Sequence, residues 1–192
     1  MLTWEQLEYV TNHCTKCPLS QGRTHVVVDR GNRSAGIMFI GEGPGQQEDI
    51  QGKPFVGPAG QLLDRILAAA GFSEENAYIA NIVKCRPPGN RDPLPSEQEA
   101  CINYLRHQLL LVKPKIIVCL GRIAAQRIIS PDFKITSQHG IWIERKGYYI
   151  TAVYHPSALL RDESKKRPTW EDFKEIKKKY DALFGEGNLN SI

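Results

Sequence analysis

Apolar positions along this chain fall into short uniform runs, separated by longer stretches with helical spacing. Ile37-Met38-Phe39-Ile40, the segment Ala77 to Val83 and the segment Lys115 to Leu120 are apolar on most successive positions. Runs of that length, bounded by turn residues, predict strands buried on both faces. Between them, Gly60 to Gly71 and Ser96 to about Val112 repeat apolar residues every three or four positions, with Ile102, Leu105, Leu109 and Val112 inward in the second. Ser96 with Glu99 reads as a capping box. So does Thr3 with Gln6, ahead of a short helix with Trp4, Leu7 and Val10 on one face. Gly121 leads into a helix through Ile129. Ile141 to Ile143 and Tyr148 to Val153 predict a hairpin around Glu144-Arg145-Lys146-Gly147. Thr169 opens a last helix, with Trp170, Phe173, Ile176, Tyr180 and Leu183 inward. The segment 21–35 reads as a loop whose Val26-Val27-Val28 patch could form a short strand, and 185–192 as a frayed tail. Strands alternating with helices predict a mostly parallel sheet covered on both faces, in one domain spanning 1–192.

The first strand breaks at Gly41-Glu42-Gly43-Pro44-Gly45, followed by Glu48-Asp49 and then Gly52-Lys53-Pro54-Phe55-Val56-Gly57-Pro58. Three glycines and a proline in five residues can neither continue a strand nor open an ordinary helix. They let backbone amides approach a bound group. A dinucleotide fingerprint would need glycine at Gln46, and no Gly-Lys-Ser/Thr triplet marks a phosphate loop. Ligands of open α/β sheets sit beyond the carboxyl ends of the strands. Glu42, Asn81 and His155 each end or follow an apolar strand, so the topology brings them to one rim.

Composition narrows the class. Over 192 residues, 41% hydrophobic and 24% charged content is that of an ordinary globular chain. The net charge of +4 permits a polyanionic partner without demanding one. The first residues lack a basic segment followed by an apolar stretch, and no run is long enough to span a membrane, which makes the cytoplasm the expected compartment. Five cysteines, an odd number, argue against a disulfide framework. Cys119 lies inside an apolar run and reads as core. Cys14, Cys17, Cys85 and Cys101 lie in polar or turn-rich surroundings. A redox C-x-x-C follows a strand at a helix start, whereas Cys14-Cys17 follows a helix. A zinc ribbon has two tight pairs, whereas fifteen residues separate Cys85 from Cys101. Four thiolates suit zinc or an iron–sulfur cluster, and on spacing alone both stay open.

These segments together resemble the iron–sulfur uracil-DNA glycosylases, the thermostable bacterial and archaeal type often called family 4. The resemblance runs from Cys14 to the last helix. It is carried by Gly41-Glu42-Gly43-Pro44-Gly45 with Glu48-Asp49, by Gly52 to Gly57, by Asn81-Ile82-Val83-Lys84-Cys85-Arg86-Pro87-Pro88, and by His155-Pro156-Ser157-Ala158-Leu159-Leu160-Arg161. Gly43 departs from the alanine common at its position in that family. The resemblance implies an α/β/α sandwich around a mostly parallel four-stranded sheet, and a [4Fe–4S] cluster on Cys14, Cys17, Cys85 and Cys101 with a structural role. It implies uracil-containing DNA, single- or double-stranded, as partner, with no membrane and the chain acting as a monomer.

The implied roles make chemical sense residue by residue. A flipped uracil needs a flat apolar neighbour, which Phe55 would supply, and a donor–acceptor pair, which the Asn81 amide offers to O4 and N3–H. His155 would donate to O2 as negative charge grows on the leaving base. The Glu42–Gly43 loop would hold the attacking water, with Glu42 orienting or activating it. Glu48 and Asn90 complete the expected substrate side. Leu159 or Leu160 would fill the gap left by the flipped base, and Arg161, Lys165, Lys166 and Arg167 would contact phosphates. Each residue also has a plainer use: a turn or core histidine, a turn asparagine, core phenylalanine and leucines, a solvated basic face. A DNA- or partner-binding module without catalysis, and an electron-transfer protein, are the competing functions.

Overall fold

A computed structural model describes residues 2–185. Among them, one sheet contains β1 (Arg30–Gly31), β2 (Ile37–Gly41), β3 (Ala77–Asn81), β4 (Ile116–Leu120), β5 (Ile143–Arg145) and β6 (Tyr148–Val153), in the order β1-β3-β2-β4-β6-β5. The four central strands β3, β2, β4 and β6 run parallel, and β1 and β5 pair antiparallel at the two edges. The four expected parallel strands are therefore the centre of a wider sheet of six. Two residues carry no periodicity, so β1 leaves no mark in the sequence. The Val26–Val28 patch forms no strand. Val27 is instead fully buried and donates its backbone N–H to Lys84 O at 2.8 Å.

The helices are α1 (Trp4–Asn12), α2 (Leu19–Gly22), α3 (Gln46–Gln51), α4 (Pro58–Ala69), α5 (Pro95–Val112), α6 (Arg122–Ile128), α7 (Ile135–Gln138), α8 (Pro156–Arg161) and α9 (Lys166–Phe184). They cover both sheet faces because the strands alternate between two apolar layers. Ile37, Phe39, Ile79 and Val118 meet Leu63 and Leu67 of α4 and Phe173 and Ile176 of α9. Met38, Ile40, Ala80 and Cys119 meet Leu7 of α1, Leu105 of α5 and Ala124 of α6. This is a three-layer α/β/α sandwich. Full burial of each large apolar side chain contributes about 1.5–3 kcal/mol. No helix among the described residues is long and apolar enough to cross a membrane.

Several helix starts differ from their sequence signals. The capping box of α1 forms as expected, with Gln6 N donating to Thr3 Oγ1 and Thr3 N to Gln6 Oε1, although Val10 is exposed. Helix α5 starts at Pro95, where a missing N–H costs nothing in a first turn. Its reciprocal cap is Glu97, whose carboxylate accepts from Leu94 N at 2.7 Å, so the Ser96–Glu99 pair lies inside the helix. Helix α9 begins before Thr169, whose hydroxyl donates back to Lys165 O at 2.8 Å, and Trp170 is partly exposed rather than inward. The glycine-rich break gives way at once to α3, with Glu48 and Asp49 in its first turn, where carboxylates favour the helix. Except for Gly185, the expected frayed tail lies outside the described residues.

Candidate active site at the strand ends

Parallel pairing fixes the ends of β2 and β3 side by side, with Gly41 opposite Asn81. A Cβ on Gly41 would overlap both Asn81 Oδ1 and the Phe55 ring. Glycine therefore leaves a gap into which the Asn81 amide and the Phe55 ring converge. Asn81 is buried, and its Oδ1 has no hydrogen-bond partner among the described residues. A buried acceptor left unpaired costs about 1–3 kcal/mol, which makes such an atom a place where a ligand donor fits. The cleft above this gap measures about 890 Å³. Glu42, Gly43, Glu48, Phe55, Asn81, Asn90, His155, Leu160 and Arg161, all expected from the sequence, line it.

Phe55 is held in a left-handed backbone conformation, φ 56°, which non-glycine residues rarely adopt. Three contacts hold it there. Arg30 Nη1 donates to Phe55 O at 3.0 Å, and Arg30 is itself paired with Asp64 and Glu74. Glu48 Oε1 accepts the backbone N–H groups of Val56 and Gly57 at 2.8 and 2.7 Å. Gly60 lacks the Cβ that would overlap the Phe55 carbonyl. Glu48 thus reaches the cleft mainly as the anchor of the Phe55 loop. Asn90, also at positive φ, accepts through Oδ1 from Arg86 Nε at 2.7 Å.

His155 caps α8. Its Nδ1 accepts from Ser157 N at 3.1 Å and lies 2.8 Å from Ser157 Oγ. With Nδ1 accepting, the neutral ring carries its proton on Nε2. Burial, assisted by Arg161, pushes the imidazole down to about 4, so the ring is neutral at pH 7. Its centroid lies 5.8 Å from that of Phe55. Glu42 behaves oppositely: burial, then the neighbouring Asp92, raises its carboxyl to about 7, with Arg122 and Arg161 pulling it down.

The expected DNA-facing residues divide. Leu160 is 49% exposed beside the cleft, whereas Leu159 is 1% exposed and belongs to the core, which removes it as a wedge. Arg161 borders the cleft. Lys165 pairs with Asp162 at 2.9 Å and Lys166 with Glu163 at 2.5 Å, so the basic run is partly neutralised, while Arg167 is exposed.

Cys14, Cys17, Cys85 and Cys101 line one small cavity of about 10 Å³. None is in a disulfide. Among the described residues no three His, Cys, Asp or Glu side chains are placed to hold a single metal ion. The thiols ring a space that also has Arg23, Lys16 and Lys84 on its wall. Arg23 ties the ring together, donating to Cys14 O at 2.8 Å and to Cys85 Sγ at 3.3 Å. Lys84 N donates to Cys101 Sγ at 3.3 Å. A soft, all-sulfur donor set with cations around it fits a negatively charged metal–thiolate group.

The family model of the uracil DNA glycosylase superfamily matches residues 28–174. The chain belongs to that superfamily. It is 44% identical to a type-4 uracil-DNA glycosylase of Archaeoglobus fulgidus, covering 85% of this chain and 86% of the relative. It is 42% identical to one of Thermotoga maritima, covering 92% and 96%. A type-5 uracil-DNA glycosylase of Pyrobaculum aerophilum is 31% identical over 67% of this chain and 64% of its own length.

Sequence reasoning missed Arg30, Asp92, Arg122 and Ser157, which support residues of this cleft, and Arg23, which braces the cysteines. Only Ser157 left a signal, two positions after His155, where a hydroxyl reaches a neighbouring side chain.

The neutral state of His155 has a measurable sign. Its ordinary value is 6.5 and its folded value about 4, so between these the unfolded chain binds a proton that the folded protein does not. Stability from this group is complete above pH 6.5 and is lost as pH falls toward 4. Ring NMR signals of His155 should titrate with a midpoint well below 6.5, and His155→Gln should flatten the acid loss of stability in that window. A midpoint at 6.5 would show the ring to be solvated.

Proposed function

We propose that the protein removes uracil from DNA by hydrolysing the bond between the base and its deoxyribose, leaving an abasic site. The observation that carries this reading is the unpartnered Asn81 Oδ1 at the floor of the cleft. Its family membership supports the same chemistry.

The target bond is hidden in stacked DNA, so the nucleotide must turn out of the stack. The flipped uracil would lie against Phe55, with N3–H donating to Asn81 Oδ1 and O4 accepting from Asn81 Nδ2. Cytosine presents the reverse pattern and would strand buried polar groups on both sides. As the C1′–N1 bond breaks, its electron pair moves onto the uracil ring. The neutral His155 would donate from Nε2 to O2 and stabilise that charge, a contact that strengthens as the bond lengthens. A neutral donor is suited to this, because it keeps its proton and leaves the charge on the base. Water would attack C1′ from beside the Glu42–Gly43 loop, and Glu42, near its midpoint at neutral pH, would accept the water proton. Leu160 would occupy the space vacated in a duplex, with Arg161 on the adjoining phosphate. Lys165, Lys166 and Arg167 would add a weaker attraction, since two of them already have acidic partners.

A [4Fe–4S] cluster on Cys14, Cys17, Cys85 and Cys101 is the second part of the proposal. Four thiols around one cavity, with cations on its wall, suit a negatively charged metal–thiolate group, and the resemblance to the iron–sulfur glycosylases favours the cluster. When bound, such a group supplies a rigid cross-link between distant chain segments. Here it would hold the end of α1 against the loop after β3 and the first turns of α5.

Two outcomes are expected. Asn81→Asp removes the amide donor, and release of uracil from a single-stranded oligonucleotide should fall roughly ten- to a hundredfold, the effect of about 1–3 kcal/mol of lost pairing. A mutant with full uracil activity would mean that Asn81 does not read the base. Cys85→Ser should lower bound iron and sulfide, bleach visible absorption, and make segment 86–95 sensitive to protease. Unchanged iron content would exclude Cys85 as a ligand.

A further inference from the structure

Asp92 lines the cleft although no motif marked it, and its position is fixed from two sides. It lies in the proline-rich loop between β3 and α5. Arg91 holds the loop by forking onto the buried Glu97 at 2.7 and 2.8 Å and by donating to Asp92 O at 2.9 Å. The Asp92 side chain accepts from Arg122 Nη2 at the start of α6. On its other side the carboxyl lies near Glu42, and the two line the same cleft. A carboxylate next to a second carboxyl makes ionising that second group costlier, so Asp92 holds the proton on Glu42 to higher pH.

The other charged groups around Glu42 do not alter this. Arg122 is paired with Asp92, and Arg161 at the end of α8 faces Glu42 across the cleft. His155 is neutral, and Glu48 is occupied by the backbone of Val56 and Gly57. Burial and the neighbouring Asp92 both favour the protonated form of Glu42.

We infer that Asp92, anchored by Arg122, is a positioning residue that sets the pH range in which Glu42 can accept a proton from the attacking water. This rests on the reading of Glu42 given above. At low pH the protonated Glu42 carboxyl has no capacity for the water proton. As Glu42 loses its proton, it becomes a carboxylate on the cleft wall. Water oxygen then bonds to C1′, the C1′–N1 electron pair leaves with uracil, and the water proton passes to Glu42.

The test is the pH dependence of single-turnover uracil release by wild type, Asp92→Asn and Glu42→Gln. The readout is the position of the acid limb, independent of plateau height. Asp92→Asn leaves no anion beside Glu42, and its acid limb should move to lower pH by roughly one unit. Glu42→Gln should lose the limb. If Asp92→Asn slows release equally at all pH values, or leaves the profile unchanged while Glu42→Gln loses the limb, the inference about Asp92 is wrong and the role of Glu42 stands. If Glu42→Gln keeps the limb, Glu42 is not the proton acceptor and both readings fall.

Discussion

The pairing of Gly41 with Asn81 at the ends of two parallel strands is the constraint on which the cleft depends. Parallel register fixes the two backbones, and the absent side chain at Gly41 makes the space into which the Asn81 amide and the Phe55 ring project. The core then removes the freedom to close that space. Both strands are buried on each face, so neither can shift without disturbing the layers above and below. The unpaired Asn81 oxygen is tolerated because this frame holds it open. Stability is given up at one atom, and on the proposed function a base returns it.

The same stretch of chain connects the cleft with the cysteine cavity. Asn81 ends β3, and Lys84 and Cys85 follow within one turn of loop. Lys84 is fully buried, yet its ammonium donates to Asn81 O at 2.8 Å and to Gln108 Oε1 at 2.6 Å. Gln108 in turn donates to Val28 O and Tyr78 OH, and Tyr78 donates to Asp29. Buried polar groups so fully partnered act as a rigid strut. Its backbone N–H meets Cys101 Sγ, so whatever the thiols hold is braced, through one residue, against the strand end that carries Asn81.

Much of this was legible in the sequence because it follows from local pattern. Uniform apolar runs marked three of the four parallel strands and a hairpin signal the fourth, and the strand ends named Glu42, Asn81 and His155 before any contact was known. The four cysteines were separable from Cys119 by their surroundings alone. What the sequence hid was tertiary. Arg30 sits on a two-residue edge strand and supports Phe55 from 25 positions away. Asp92 meets Glu42 because a proline loop folds back over the cleft, and no spacing rule encodes that approach. Helix starts were misplaced where a proline and an acidic residue outweighed a serine cap, as at Pro95 and Glu97. Leu159 and Leu160 are adjacent and chemically identical, and only burial tells the core residue from the exposed one.

The central claim is that the Asn81 amide, framed by Gly41 and Phe55, recognises uracil. A crystal structure of the protein with free uracil bound tests it most directly. The account predicts the pyrimidine ring against Phe55, N3 within hydrogen-bond distance of Asn81 Oδ1, O4 at Nδ2 and O2 toward His155 Nε2. Uracil bound elsewhere in the cleft, with Asn81 Oδ1 still unpartnered, would contradict it.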